Sequence, residues 1–230
     1  MNLEFIGSVA AGGGAPAFES PMAAVARSAG ATLELRGGWL VPATFPDRDA
    51  QSRAIAETVG FADVSSIAKT ELQISTESVL SLAGGLTLGS AIARDGAWWC
   101  PLTPHRALVL GARPQLVEGD GLAVLDVTPQ FCALRLEGPL VRRLMASFCA
   151  LDLREAVAPV GSLRPGSVAR TPGLLLVEAP QRLLVLVGAA LSEYLWMVVA
   201  DASARLGGRP VGSDLLSAGV SARREEPANA

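Results

Sequence analysis

The chain offers few side chains able to do covalent or metal chemistry: one histidine, His105, and three cysteines, Cys100, Cys132 and Cys149. With one histidine, a zinc site built on histidines is excluded, as is a Ser-His-Asp triad using any other histidine. The cysteines are odd in number and sit inside apolar stretches, which reads as buried structural thiols rather than redox or metal chemistry. One further spacing suggests a cofactor. Gly12, Gly14 and Ala17 match a degenerate G-x-G-x-x-A, and Glu34 follows. In a dinucleotide-binding unit such glycines turn tightly after a strand and let a helix N-terminus meet pyrophosphate. Here Pro16 falls inside the loop and the preceding apolar run is short and interrupted by Gly7, which disfavours that reading.

Composition bounds the rest. At 230 residues with half of them hydrophobic, the chain can sustain its own core as one domain or two fused subdomains. No stretch reaches the ~18 uninterrupted apolar residues of a membrane-spanning helix. The N-terminus has no basic segment of the kind that opens a signal peptide, so a cytoplasmic protein is expected. Nineteen basic and 22 acidic residues are interspersed without a basic stripe, which argues against a nucleic-acid partner. Lys69 is the only lysine, all other basic side chains apart from His105 being arginine.

Elements that could position these residues follow from periodicity and punctuation. A short helix is expected over Met22–Ala29, stopped by Gly30, then strands over Thr32–Leu35 and Leu40–Thr44 around Gly37-Gly38. Asp47 caps a helix over Arg48–Thr58 that stops at Gly60, and residues 61–65 lead into a strand over Ala68–Ile74. Ser75 caps a helix through Leu82. Strands are expected at Ala97–Leu102, His105–Leu110, Leu122–Val127 and Phe131–Leu136. Asp95 and Gly96 form a hairpin turn before the first of these. Gly138-Pro139 opens a helix through Phe148, and strands follow at Ser167–Arg170, Leu174–Glu178 and Leu183–Val187. The longest helix runs over Ala189–Leu206 to Gly207-Gly208, and residues 221–230 read as a solvated tail. Strand pairs separated by single helices indicate an α+β fold with a largely antiparallel sheet.

Several of these residues fall in a recurring order. Ser20-Pro21-Met22, Gly30-Ala31, Gly38-Trp39 and Pro42 are followed by Gly60, Phe61, Asp63, Ser65 and Lys69. Later come Ala133, Leu134, Leu136, Gly138 and Pro139, and then Cys149–Leu153. This order resembles the folate-binding family that contains the glycine-cleavage T-protein and the small gamma subunit of multisubunit sarcosine oxidase, with Cys149–Leu153 most like the latter. The resemblance covers residues 20–208. It implies a T-protein-like folate-binding fold with largely antiparallel sheets and packed helices, a flexible segment over 1–19 and a tail over 209–230. Read on their own, the matched residues are mostly architectural: Asp63 and Ser65 can bond backbone amides in a turn, and Gly138 permits a close approach.

The departures bear on function. Active T-proteins carry paired acids in the stretch that corresponds to Gly84–Leu110, and here that stretch holds one carboxylate, Asp95, in a turn. No catalytic residue is therefore expected, and no metal ligand. The family's tyrosine-containing folate element is reduced to Thr171-Pro172-Gly173 followed by a strand ending in Glu178. Glu178 could bond a pteridine ring as a family glutamate does, the competing reading being a surface acid at a strand end. Trp98 and Trp99 lie on opposite sides of a strand, so either one is exposed for a protein interface or both are covered within the chain.

The resemblance thus implies a gamma-subunit-like component of a folate-linked amine-oxidising complex without a complete active site. Tetrahydrofolate is its one conceivable ligand; FAD, FMN and NAD are expected on larger flavoprotein subunits. The alternative is a free-standing tetrahydrofolate-dependent aminomethyltransferase, and a third is a degenerate folate-fold protein with a scaffolding role.

Overall fold

The computed structural model describes residues 18–75, 79–82, 87–114 and 121–216. Gly12, Gly14 and Ala17 lie outside them, as does the expected solvated tail. The chain opens with β1 (Phe18–Glu19), α1 (Ala23–Ser28) and the hairpin β2 (Thr32–Arg36) and β3 (Trp39–Thr44). The Gly37-Gly38 link of that hairpin has two positive φ angles, as a tight turn between twisted strands requires. Asp47 starts α2 (Arg48–Glu57) by accepting a hydrogen bond from the Ala50 amide at 3.0 Å. Then come β4 (Gly60–Asp63), β5 (Lys69–Ile74), α3 (Val79–Leu82), β6 (Ile92–Arg94), β7 (Ala97–Thr103), β8 (Arg106–Gly111) and β9 (Leu122–Asp126). The rest comprises β10 (Phe131–Glu137), α4 (Val141–Met145), β11 (Leu163–Val168), β12 (Thr171–Ala179), β13 (Arg182–Gly188), α5 (Ser192–Ala204) and β14 (Arg209–Pro210).

Three sheets result, with strand orders β1-β3-β2, β11-β12-β13-β10-β4-β14 and β6-β7-β8-β5-β9. All pairings are antiparallel except β1 with β3 and β14 with β4. Alternation along the strands sorts the six-stranded sheet into two apolar faces. Leu134, Leu175, Val177, Leu183 and Val185 face one way and pack with Ala26 of α1, Leu144 of α4 and Trp196 of α5. Ala133, Leu176, Leu184 and Leu186 face the other way and meet Trp98, Cys100, Leu108 and Leu110 of the five-stranded sheet. That second sheet buries its far face, with Trp99, Val109 and Leu72, under Val79 of α3.

Several expected boundaries shift. Residues 60–63 are a strand, β4, and not only a turn leading into β5; buried on all four positions, it pairs with Leu134–Glu137 of β10. The helix expected over 138–148 is cut to α4, with Pro139 two residues before its start and turns after its end. The strand expected at Ser167–Arg170 is β11, which ends at Val168. Ala169 and Arg170 take positive φ to turn the chain into β12. The long C-terminal helix begins with a 3-10 turn at Ala189–Leu191. Of the helix expected from Ser75, α3 is seen, and residues 76–78 lie outside the described set.

Phe18-Glu19 pairs in parallel with Trp39-Leu40. Beyond Gly208, Arg209-Pro210 pairs with Gly60-Phe61, and Val211 and Leu216 are buried. A hydrogen bond from the Gly212 amide to the Gln51 side chain at 2.9 Å ties this segment to α2.

Candidate functional site

The face of the six-stranded sheet that meets the five-stranded one is apolar along most of its length and charged at one end. Leu174, Leu176 and Glu178 alternate along β12, Ala133 and Arg135 along β10, and Leu184 and Arg182 along β13 between them. A register shift between Val177 and Ala179 sets Glu178 where it reaches across β13. Arg135 donates from Nε to Glu178 Oε2 at 2.7 Å and from Nη2 to Oε1 at 2.9 Å. Arg182 Nε lies 3.5 Å from the same Oε2. Glu178 is 5% exposed and Arg135 8%. The expectation of a strand-end surface acid is therefore corrected: the strand end lies inside the sandwich, and the acid is held there by its arginine.

Beside this pair is a cavity of about 210 Å³. Trp98 and Leu110 wall it from the five-stranded sheet, Arg135, Glu178 and Leu184 from the six-stranded one, and Ile67 from the β4–β5 turn. Gly96 and Gly111 close one end. Gly111 has φ +117, and a Cβ there would stand 2.8 Å from the Gly96 carbonyl oxygen, so only glycine lets the two strand ends meet. The indole N–H of Trp98 and the Nε–H of Arg182 have no hydrogen-bond partner among the described residues.

The two tryptophans follow the alternation expected of them, and both are covered: Trp98 is 8% exposed between the sheets and Trp99 6% under α3. The interface reading, which needs one of them exposed, is overturned because the five-stranded sheet has a core on each face.

A second polar cluster holds the β4–β5 turn. Asp63 accepts from the Ser65 amide at 2.8 Å and from the Ser20 hydroxyl, while Ser65 Oγ accepts from the Ala133 amide at 3.0 Å. Asp63 thus bonds a turn amide as expected, whereas Ser65 reaches out of the turn to an amide of β10. Lys69, fully buried, donates from Nζ to the carbonyls of Ser65 at 2.6 Å, Ile67 at 3.1 Å and Thr128 at 3.5 Å. Burial pushes the Lys69 ammonium down to about 8, against the opposing pull of Asp63, and burial pushes the Asp63 carboxyl up. An ammonium with three convergent donors suits three carbonyls better than a planar guanidinium does, which explains a lysine here in a chain that otherwise uses arginine.

The remaining candidates do not converge. Asp95 sits in the β6–β7 turn with φ +51 and its side chain 78% exposed, and among the described residues it pairs only with neighbouring Arg94, at 3.2 Å. Cys100, Cys132 and Cys149 are buried free thiols. Burial raises the Cys100 thiol and takes Cys132 up to about 12, far from the thiolate a nucleophile needs. Among the described residues no cluster of three His, Cys, Asp or Glu side chains could hold a metal. No helix among them is long and apolar enough to cross a membrane. Sequence reasoning did not single out Arg135, whose only available signal was its alternation with Ala133 on a strand that is otherwise apolar.

No protein-family profile matches the chain, and no curated protein sequence does. Solved structures do. A chain of heterotetrameric sarcosine oxidase from Corynebacterium sp. U-96, solved in complex with pyrrole 2-carboxylate, superposes with a TM-score of 0.61 at 19% identity. The match covers 84% of this chain and 98% of that one. The glycine cleavage system aminomethyltransferase T from Bartonella henselae superposes with a TM-score of 0.65 at 16% identity, covering 84% of this chain and 59% of that one. The chain has a T-protein-like fold in an α+β arrangement of largely antiparallel sheets, as the resemblance implied.

Proposed function

We propose that this chain is a gamma-subunit-like component of a sarcosine oxidase-type, folate-linked amine-oxidising complex in the cytoplasm, without a complete active site of its own. The observation that carries the reading is one of extent. The chain accounts for 98% of a chain of a heterotetrameric enzyme but for 59% of the glycine cleavage system aminomethyltransferase T.

The state of Glu178 supports the second half of the proposal. A carboxylate that is to pair with the N–H edge of a pteridine offers it both oxygens along one edge, and Arg135 already holds a two-pronged pairing with Glu178. The adjoining cavity, about 210 Å³, is below the ~300 Å³ at which small-molecule sites begin. The only tyrosine, Tyr194, is not beside it and donates its hydroxyl to the Ala169 carbonyl at 3.0 Å. The residues around Glu178 do not fit tetrahydrofolate. Flavin and NAD chemistry would reside on larger flavoprotein partners.

Titration of the purified chain with tetrahydrofolate tests this directly. No saturable binding is expected. Tight, saturable binding that Glu178→Gln abolishes would instead favour an aminomethyltransferase, the reading to which the slightly higher TM-score of 0.65 lends weight.

A further inference from the structure

On the other side of the β4–β5 turn from Glu178 lies a larger cleft, of about 490 Å³, which none of the roles above uses. That volume is within the ~300–1,000 Å³ of small-molecule sites. One wall is aromatic: Trp39 stacks on Phe18 with ring centroids 5.1 Å apart and planes 26° from parallel. Phe18 stays 49% exposed and Trp39 is half-buried, so the stack keeps an apolar surface open to solvent. Next to it the Gly37-Gly38 turn adds no side chain, and a Cβ on either glycine would meet nothing within 4 Å. The aromatic wall is therefore open to an incoming ring.

The opposite wall is polar and anchored from beneath. Lys69 pins the carbonyls of Ser65, Ile67 and Thr128, and its amide donates to Thr128 Oγ1 at 3.0 Å. Ser66 and Thr128, on the segments so fixed, line the cleft. A buried lysine thus sets the geometry of this wall. The charged groups there are Asp126 and Arg113. Asp126 already accepts from the Thr128 amide at 3.0 Å and from Arg113. Arg113, its side chain 68% exposed, pairs through Nη2 with Asp126, and its other N–H groups have no partner among the described residues. The charged donor with capacity to spare is therefore this guanidinium.

We propose that this cleft binds a planar aromatic ligand bearing a carboxylate or phosphate, its ring on the Trp39–Phe18 stack and its anion on Arg113. Stacking supplies affinity that tolerates different rings, and the guanidinium supplies the preference for an anion. The inference does not depend on the oxidase-subunit reading, since neither a partner chain nor Glu178 enters it.

The test is calorimetric titration of the full chain with indole-3-acetate, indole and acetate as probes. Saturable binding of indole-3-acetate, tighter than that of indole or acetate, is expected. Trp39→Ala should weaken it about five- to tenfold. Arg113→Gln, an exposed substitution that leaves the melting temperature unchanged, should bring indole-3-acetate down to the affinity of indole. If Trp39→Ala does not fold, Arg113→Gln and Trp39→Leu carry the comparison. No saturable binding at millimolar probe, or binding that Arg113→Gln leaves unchanged, overturns the proposal.

Discussion

Arg135 and Glu178, 43 residues apart in sequence and on strands separated by β13, form a two-pronged ion pair inside the sandwich, with bonds of 2.7 and 2.9 Å. Removing Glu178 leaves two arginines, Arg135 and the neighbouring Arg182, without their acid, whereas removing Arg135 leaves Glu178 with Arg182 at 3.5 Å. Glu178→Leu should therefore cost about 3–5 kcal/mol, lowering the melting temperature by about 6–20 °C in a chain of this size, and Arg135→Met should cost less. The triple substitution Arg135→Met, Glu178→Leu, Arg182→Met should cost less than Glu178→Leu alone, because no charge is then stranded in the site. Thermal unfolding of the three variants checks this; a triple variant less stable than Glu178→Leu contradicts it.

Gly138 is the tightest backbone approach between β10 and the end of α2. It has φ +141, and a Cβ there would stand 2.3 Å from the Thr58 carbonyl oxygen. Gly138→Ala therefore combines a disfavoured conformation with a clash against backbone and should destabilise by more than about 1 kcal/mol. Gly37→Ala, where a Cβ meets nothing, has only the conformational part of that cost. Urea titration of the two variants should rank them in that order.

Lys69 gives stability a pH dependence whose sign follows from proton counting. Its folded value is about 8, against 10.5 for an unperturbed lysine. Between these, the unfolded chain holds a proton that the folded chain has released, so stability rises with pH, by up to about 3 kcal/mol. Cys132, at about 12, works the other way: its thiol ionises first in the unfolded chain, so stability falls above pH ~9. Lys69→Met separates the two. Denaturation between pH 7 and 10.5 should show the rising component in the wild type and lose it in the variant; identical profiles would contradict the assignment.

Of four tryptophans, Trp98, Trp99 and Trp196 are buried and Trp39 is partly exposed. Acrylamide should quench one class of fluorescence, and Trp39→Phe should remove that class. A readily quenched fraction persisting in the variant would return Trp98 or Trp99 to the surface. Because the Trp98 N–H is buried without a partner among the described residues, Trp98→Phe should be tolerated far better than Trp98→Ala, which should cost about 3–5 kcal/mol.

Local signals in the sequence proved reliable where the cause was local. Asp47 as a cap, Asp95-Gly96 as a turn and Gly207 as a helix stop each act within a few residues. The α+β class and the matched segments were legible for the same reason, because strand periodicity and turn chemistry are short-range. What was not legible is long-range. Residues 60–63 read as a turn because Gly60 and Asp63 flank only two apolar residues, yet β10 and β14 pair with them from both sides. The segment after Gly208 read as a tail because its hold on the fold is a parallel pairing to a strand far earlier in the chain. Glu178 read as either a pteridine partner or a surface acid because its actual partner, Arg135, is invisible from its own strand.

The central claim is that this fold serves as a subunit and does not act alone. Native purification of the full chain from its source cell, with identification of the co-eluting chains and an absorbance spectrum, tests it most directly. The account predicts a stable assembly with larger chains that carries a flavin spectrum. A chain recovered alone, free of flavin and catalysing tetrahydrofolate-dependent aminomethyl transfer unaided, would contradict it.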